Sequence, residues 1–425
     1  MNEILEQNIN SYAENFADSS GMINIVELMR VFAESVINEI MSAQADDLIE
    51  EGNFRNGYRE RQLTTQLGPL NLKIPKLRRG TYFPDNLLVR YSRTDKALAA
   101  AVREMVVNGI STRKVDKVAQ ELGVLSLSKS QVSRIIQSLD EEVDRLTKRA
   151  YKDLKFPYLW LDATYLKCRH KGHVSSDAMV TAIAAGSDGY KHLVGFNVVD
   201  TESEESWKEF LLSLRNRGIE GVICVVSDAH EGLKRAIEKV YNGATWQRCI
   251  VHFMRNLIWK GTNKKQRKII GGIMSAIFKE ENPQVVRESY RQACIRISAL
   301  NEEAGKLAEN AEVEVLAYLD FPEEHRKRLR TNNVQERLNR EIKRRSNVIQ
   351  VFPSRESCMR LVGAVLGEIE EKWLIRRWFS DKSILEAYEV HTQVESDDKE
   401  AIVERCKNII KLAEQKVIDK ERWAA

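Results

Sequence analysis

The chain has 425 residues, 43% of them hydrophobic and 30% charged, with a formal net charge of +4. That length suits about two to four domains with an ordinary soluble core, and the near balance of charge excludes a chain that binds nucleic acid along its whole length. No run of about 18 apolar residues occurs, so no membrane helix is expected, and no basic segment leads into an apolar one at the start, so no secretory signal is expected.

The six cysteines are scattered without a CxxC pair, which suits reduced thiols in a cytosolic compartment better than a disulfide framework. Charge is uneven: residues 1–50 are acidic, while 326–345 is dense in Lys and Arg. Local charge, not the net value, governs phosphate binding.

Residues 1–50 read as amphipathic helix, with Ile23, Val26, Met29, Phe32, Val36 and Ile37 near helical spacing, and are expected to serve packing or dimerisation. Residues 51–93 change character. Alternation in LNLKIPKL among Gly, Pro and Asn predicts short strands and a hairpin, with Arg55, Arg59, Arg61, Lys73, Lys76, Arg78 and Arg79 available to phosphates.

Residues 94–150 are helical and have the shape of a helix-turn-helix. Val115, Val118 and Leu122 mark a first helix and Gly123 falls at the turn. Ser128 or Ser130 caps a second helix that carries Lys129, Gln131, Ser133 and Arg134.

From 151 to 252 the pattern becomes α/β. Strands are predicted at 156–167, 177–186, 190–199, 221–227 and near 245–251, with helices at about 203–217 and 230–241. Lys171-Gly172 and Asp188-Gly189 mark turns, so the first three strands form an antiparallel meander. Three strands, a helix, a strand, a helix and a strand is the order of a ribonuclease H-like domain, in which the first strand lies beside the fourth. Residues 253–330 show no strand and read as an all-α insertion. Residues 331–372 hold two further helices, and 373–425 is helical. The fold class is therefore multidomain α+β.

Three acids stand out. Asp162 interrupts the apolar run FPYLWLDATYLKCR, and Asp228 ends VICVVSD. Glu336 lies in the basic helix TNNVQERLNREIKRR. An unpaired carboxylate in a buried strand is costly, so Asp162 is either neutralised by a cation or ligates a metal. Asp228 reads equally as a helix N-cap.

On the third segment Asn332, Glu336, Asn339, Arg340 and Lys343 share one face, with Val334, Leu338 and Ile342 as the apolar stripe. The alternative there is a surface helix with a Glu336–Arg340 pair. Glu341 is the competing acid and points away. Converging carboxylates suit two Mg²⁺ ions, with Mn²⁺ able to substitute, in an in-line phosphodiester displacement.

Cys249 and His252 form a lone CxxH, too few ligands for zinc. Arg248, His252 and Arg255 are candidates for surrounding DNA, as are Arg337 and Arg344. Trp259 either packs in a core or stacks on a base.

LDATYLKCR, VVSDAHEGL, WQRCIVHFMRN and TNNVQERLNREIKRRSNVIQVFPS, in that order, make the chain similar to the bacterial Mutator-type insertion-sequence transposases, from about residue 50 to about 370. The resemblance implies a DDE transposase with Asp162, Asp228 and Glu336 as catalytic metal ligands, the accompanying Cys249/His252 pair, and a helical insertion before the Glu. It also implies binding to terminal inverted repeats and target DNA, work as a homodimer or larger assembly, and action at the nucleoid in the bacterial cytoplasm.

Hydrolysis at the element's end would free a 3′-hydroxyl, which would then attack a second phosphodiester. The alternatives are a structure-specific nuclease of the same fold and a catalytically inactive DNA-binding regulator.

Overall fold

The computed structural model describes residues 24–49, 54–65, 67–85, 87–88, 96–108, 110, 112–121, 129–170, 172–389 and 399–422. Leu122, Gly123 and Ser128 of the expected turn, and Ile23, lie outside them. The chain divides into two units, Met1–Leu139 with Asn347–Ile349, and Asp140–Ser346 with Gln350–Ala425. Both α-helices and strands are present, and the larger sheet is mixed.

In the first unit, helix α1 (Ile25–Asp46) packs on a hairpin of β1 (Arg55–Thr65) and β2 (Gly68–Leu77). Met41 meets Leu63, Leu70, Leu72 and Ile74 in a small apolar cluster. The same helix satisfies part of the β2 edge. Asn38 Oδ1 accepts from the Lys73 N–H at 2.7 Å, and Glu34 Oε2 from the Asn71 N–H at 2.8 Å. An exposed strand edge invites pairing with other chains, and these side chains occupy it.

Arg55 is held by Asp46 and Ser42, and Arg59 lies over the Phe83 ring. Three further helices, α2 (Lys96–Val107), α3 (Thr112–Glu121) and α4 (Lys129–Gln137), touch one another. Val102, Val106, Val115 and Val132 are buried among them.

The second unit begins with α5 (Asp140–Lys148), which the sequence groups with the preceding helices. Its sheet runs β5-β4-β3-β6-β7, built from β3 (Tyr158–His170), β4 (His173–Ala185), β5 (Lys191–Val199), β6 (Cys224–Ser227) and β7 (Thr245–Arg248). The expected meander is present: β3–β4 and β4–β5 pair antiparallel. At the turns Gly172 and Gly189 take φ of 85° and 79°, a region in which only glycine escapes a Cβ penalty.

The first strand does lie beside the fourth. β3 and β6 are parallel, with Tyr158 opposite Cys224 and Trp160 opposite Val226. Helices α6 (Glu204–Asn216) and α7 (Glu231–Val240) cover one face, where Trp207, Phe210, Leu214, Leu233 and Ile237 pack on Leu159, Leu161, Val180, Ala182 and Val225. β4 is buried from Ala178 to Ala185 instead of alternating with solvent, because a central strand is covered on both faces.

The residues between the fifth strand and the Glu336 helix form helices only: α8 (Ile250–Lys260), α9 (Lys264–Ile277), α10 (Pro283–Leu300), α11 (Glu302–Asn310), α12 (Glu312–Leu316) and α13 (Glu323–Leu329). After α14 (Asn333–Ser346) come α15 (Arg355–Trp373), the short α16 (Asp381–Glu386) and α17 (Lys399–Arg422).

The last helix acquires a place that the sequence did not suggest. It packs on the helical insertion, with Arg296 bonded to Glu414 at 2.6 Å and Cys406 set against the Val285 carbonyl.

Helix α15 is fixed to the sheet by Glu370. Its carboxylate is nearly inaccessible, takes two hydrogen bonds from Arg149 at 2.9 and 2.8 Å, and accepts the Leu193 N–H at 3.2 Å. Glu370→Ala strands the Arg149 charge and should cost about 2–4 kcal/mol, measured by urea unfolding. A double replacement with Arg149→Met should recover part of that loss. An unchanged midpoint for the single variant would show that the pair contributes nothing.

Candidate active site

Each acid owes its place to a different element. Asp162 sits in mid-β3, two residues after Trp160, so both project from the face opposite the α6/α7 layer. The β3–β6 pairs share one offset, 224 − 158 = 226 − 160 = 66. Carried two residues further, that register sets Asp162 across from Asp228, one residue beyond β6.

Glu336 occupies the first turn of α14. That helix is bolted to β3 by three amides. Gln335 is fully buried and donates to the Trp160 carbonyl at 2.7 Å and the Thr181 carbonyl at 3.1 Å. It also accepts from the Thr181 hydroxyl at 2.9 Å. Asn332 donates to the Leu161 carbonyl at 2.9 Å, and Asn339 to Asp162 Oδ2 at 2.9 Å. The preceding segment is tied down too, as Trp160 Nε1 reaches the Arg328 carbonyl at 3.3 Å and Tyr158 shares a 2.7 Å hydrogen bond with His325.

The electrostatics identify Asp162 as the strained member. Burial, opposed by the Ala163 N–H on Oδ1, pushes its carboxyl up to about 7, with Asp228, Glu202 and Glu336 adding repulsion. A carboxyl lifted by desolvation and by neighbouring carboxylates makes its surroundings a candidate functional site.

Glu336 faces His252, Nε2 to Oε1 4.0 Å, not Arg340, and its Oε1 is buried without a hydrogen-bond partner. Glu341, the rival acid, is engaged: hydrogen bonds from Arg344 and, after the opposing effect of burial, from Arg345 hold its carboxyl down at about 2.

Several expected contacts fall elsewhere. Asn332 and Arg248 are buried: the first is a strut on β3, and the second lies 5.5 Å from the Phe253 ring centroid and 3.7 Å from Glu314. Neither is exposed to a phosphate. Asn339 is half-buried and spent on Asp162, Arg344 is paired with Glu341, and Arg337 lines a separate cavity.

Arg255, Arg340 and Lys343 are exposed on α8 and α14, and Arg134 is exposed on α4, whose first residue is Lys129. Cys249 is buried and its Sγ accepts the Asn332 N–H at 3.3 Å, so it packs α8 against the start of the Glu336 helix. Trp259 is 66% exposed with Arg267 4.5 Å from its ring, so it is not a core residue.

The inward stripe of α14 is Gln335, Leu338, Ile342 and Arg345, with Val334 only half-buried. A sequence reading that assigns only apolar residues to the core passes over Gln335. The signal available was its spacing, three residues before Leu338 and seven before Ile342.

The donor set is hard oxygen, which suits a divalent cation, and a buried Glu336 oxygen without a partner is free to take one. Among the described residues no three His, Cys, Asp or Glu side chains already converge on a single point.

The description "Transposase, Mutator family" matches residues 5–375. The chain belongs to the Mutator family of transposases. The chain is 36% identical over 371 residues to the transposase for insertion sequence element IS1081 of Mycobacterium tuberculosis, covering 84% of this chain and 88% of the relative. It is 36% identical over 362 residues to the transposase for IS256 in transposon Tn4001 of Staphylococcus aureus, covering 80% and 89%. The transposase for IS406 of Burkholderia multivorans is 38% identical over 327 residues, covering 76% and 83%.

The match to the Mutator family spans both units and stops short of α17. No helix among the described residues is long and apolar enough to cross a membrane.

Proposed function

We propose that this Mutator-family member performs DNA transposition with Asp162, Asp228 and Glu336 as its catalytic carboxylates in a ribonuclease H-like domain. The supporting observation is the β3–β6 register, which aligns two acids distant in sequence on the face where α14 delivers the third. The strand order, with its antiparallel meander followed by two parallel strands, supports the same fold assignment.

Two Mg²⁺ ions would be held by these three side chains and, when bound, would supply charge stabilisation at the attacking and leaving oxygens. The chain's own residues set the rest. Asn339 and the Ala163 N–H fix the Asp162 rotamer, Gln335 and Asn332 hold α14 in register with β3, and His252 neighbours Glu336.

Arg255, Arg340 and Lys343 follow His252 and Glu336 at helical spacings of three, four and seven, so they flank the acids on the same faces and would take DNA phosphates. Lys129 and Arg134 on α4 would contact the terminal repeats.

In the first step a water oxygen bonds to phosphorus as the P–O3′ bond breaks, leaving a 3′-hydroxyl on the element. In the second, that hydroxyl bonds to a target phosphorus, and the target's own 3′-oxygen leaves and takes up a proton. No protein nucleophile enters either step.

An excision assay tests this. A plasmid carrying the native flanks around a marker is supplied with wild-type protein or Glu336→Gln. Junction or circle products are expected only with the wild type, with at least about a thousandfold loss in the variant. Equal product from both would remove Glu336. Cutting without joining would favour the nuclease, and flank binding without cutting would favour the regulator.

A further inference from the structure

We infer that a basic, tryptophan-lined cavity beside α14 seats one unpaired nucleotide of a DNA strand. Its phosphate would meet Lys191, Lys327, Arg328 and Arg337, and its base would lie against Trp373. The inference rests on the transposition reading and adds to it the form of strand that this surface holds.

The cavity measures about 430 Å³ and lies within the second unit. That volume admits one small ligand and not a duplex. Its lining is lopsided in charge: four cations face a single carboxylate, Glu324. Among the described residues none of the four has a carboxylate within ion-pair distance, and Arg328 spends one N–H on the Glu324 carbonyl of its own helix at 3.0 Å. Such a cluster repels itself until an anion enters. Lys191 shows the strain: burial first, then Arg337 and Arg328, lowers its affinity for its proton.

The aromatic half is built as firmly. The Lys191 ammonium lies 4.8 Å from the Trp373 ring centroid and 5.3 Å from that of Trp378. Trp378 is in turn backed by Trp160 at 4.6 Å. Trp160 belongs to the strand that carries Asp162, and Arg337 follows Glu336 directly, so the cavity shares two supports with the catalytic acids. Cations beside a half-exposed indole bind a phosphate and a base together, the combination that single-stranded sites use. An intact duplex keeps its bases stacked and offers no such pairing.

The test is fluorescence anisotropy with the full chain and two labelled duplexes of identical sequence, one blunt and one ending in a short oligothymidine overhang. The wild type should bind the overhang duplex about tenfold more tightly. Lys327→Glu and Trp373→Ala should each bring the ratio of the two affinities close to one. Lys327 is exposed, so its replacement leaves folding intact, and thermal melting checks the tryptophan variant.

Equal binding of both duplexes by the wild type, or a preference that survives both replacements, would overturn the inference. Metal-dependent cleavage of the native ends, measured on the same wild-type protein, separates the two readings. Cleavage without overhang preference removes the nucleotide site and keeps transposition, whereas overhang preference without cleavage does the reverse.

Discussion

Asp162→Asn should abolish excision and at the same time make the metal-free protein more stable at pH 8. The carboxyl is raised from 3.8 to about 7, so between those values the folded state holds a proton that the unfolded state has lost. Stability then falls as pH rises through that window, and the whole penalty is present above it. The shift corresponds to something on the order of 4 kcal/mol.

An amide carries no charge to desolvate and does not repel Asp228 or Glu336. Its polar atoms can be satisfied as well. Its oxygen keeps the Ala163 N–H, and once the Asn339 amide flips, its NH₂ can donate to Asn339 Oδ1, which has no partner in the wild type. Melting curves at pH 5 and pH 8 should therefore converge for the variant and diverge for the wild type. Adding Mg²⁺ at pH 8 should raise the wild-type midpoint, since a ligand of the folded state alone stabilises it, and leave the variant nearly unmoved. A variant less stable than wild type at pH 8 would mean that Asp162 is a structural acid paired by a cation.

Gln335→Leu should damage both stability and rate, and by a different route. The replaced side chain holds two strand carbonyls and a threonine hydroxyl in a site closed to water. Losing three buried hydrogen bonds, with their partners left unsatisfied, should cost about 3 kcal/mol. Glu336 follows in the chain, so loss of the anchor also lets the carboxylate shift, and a 1 Å displacement can cost about a hundredfold in rate.

Glu336→Gln, by contrast, should lower rate without lowering the melting temperature. If Gln335→Leu melts like wild type and excises normally, α14 is positioned by its apolar contacts alone.

What the sequence by itself determined is local and periodic. The order of strands and helices in the α/β region, the turns at Gly172 and Gly189, and the helical insertion were all legible, because hydrophobic period and turn chemistry act over a few residues. Asp162 stood out for a related reason: a charge inside an apolar strand is costly, and only a compensating function or partner keeps it.

Tertiary structure alone decided which polar residues turn inward. Within TNNVQERLN only the spacing of Gln335 to Leu338 hints at which amide bolts α14 to β3 and which faces outward. The difference is whether a strand carbonyl stands within 3 Å, as it does for Gln335 and Asn332. The basic cavity was hidden for the same reason: Lys191, Arg328, Arg337 and Trp373 come from a strand edge and three helices, and only folding brings their charges close enough to act together.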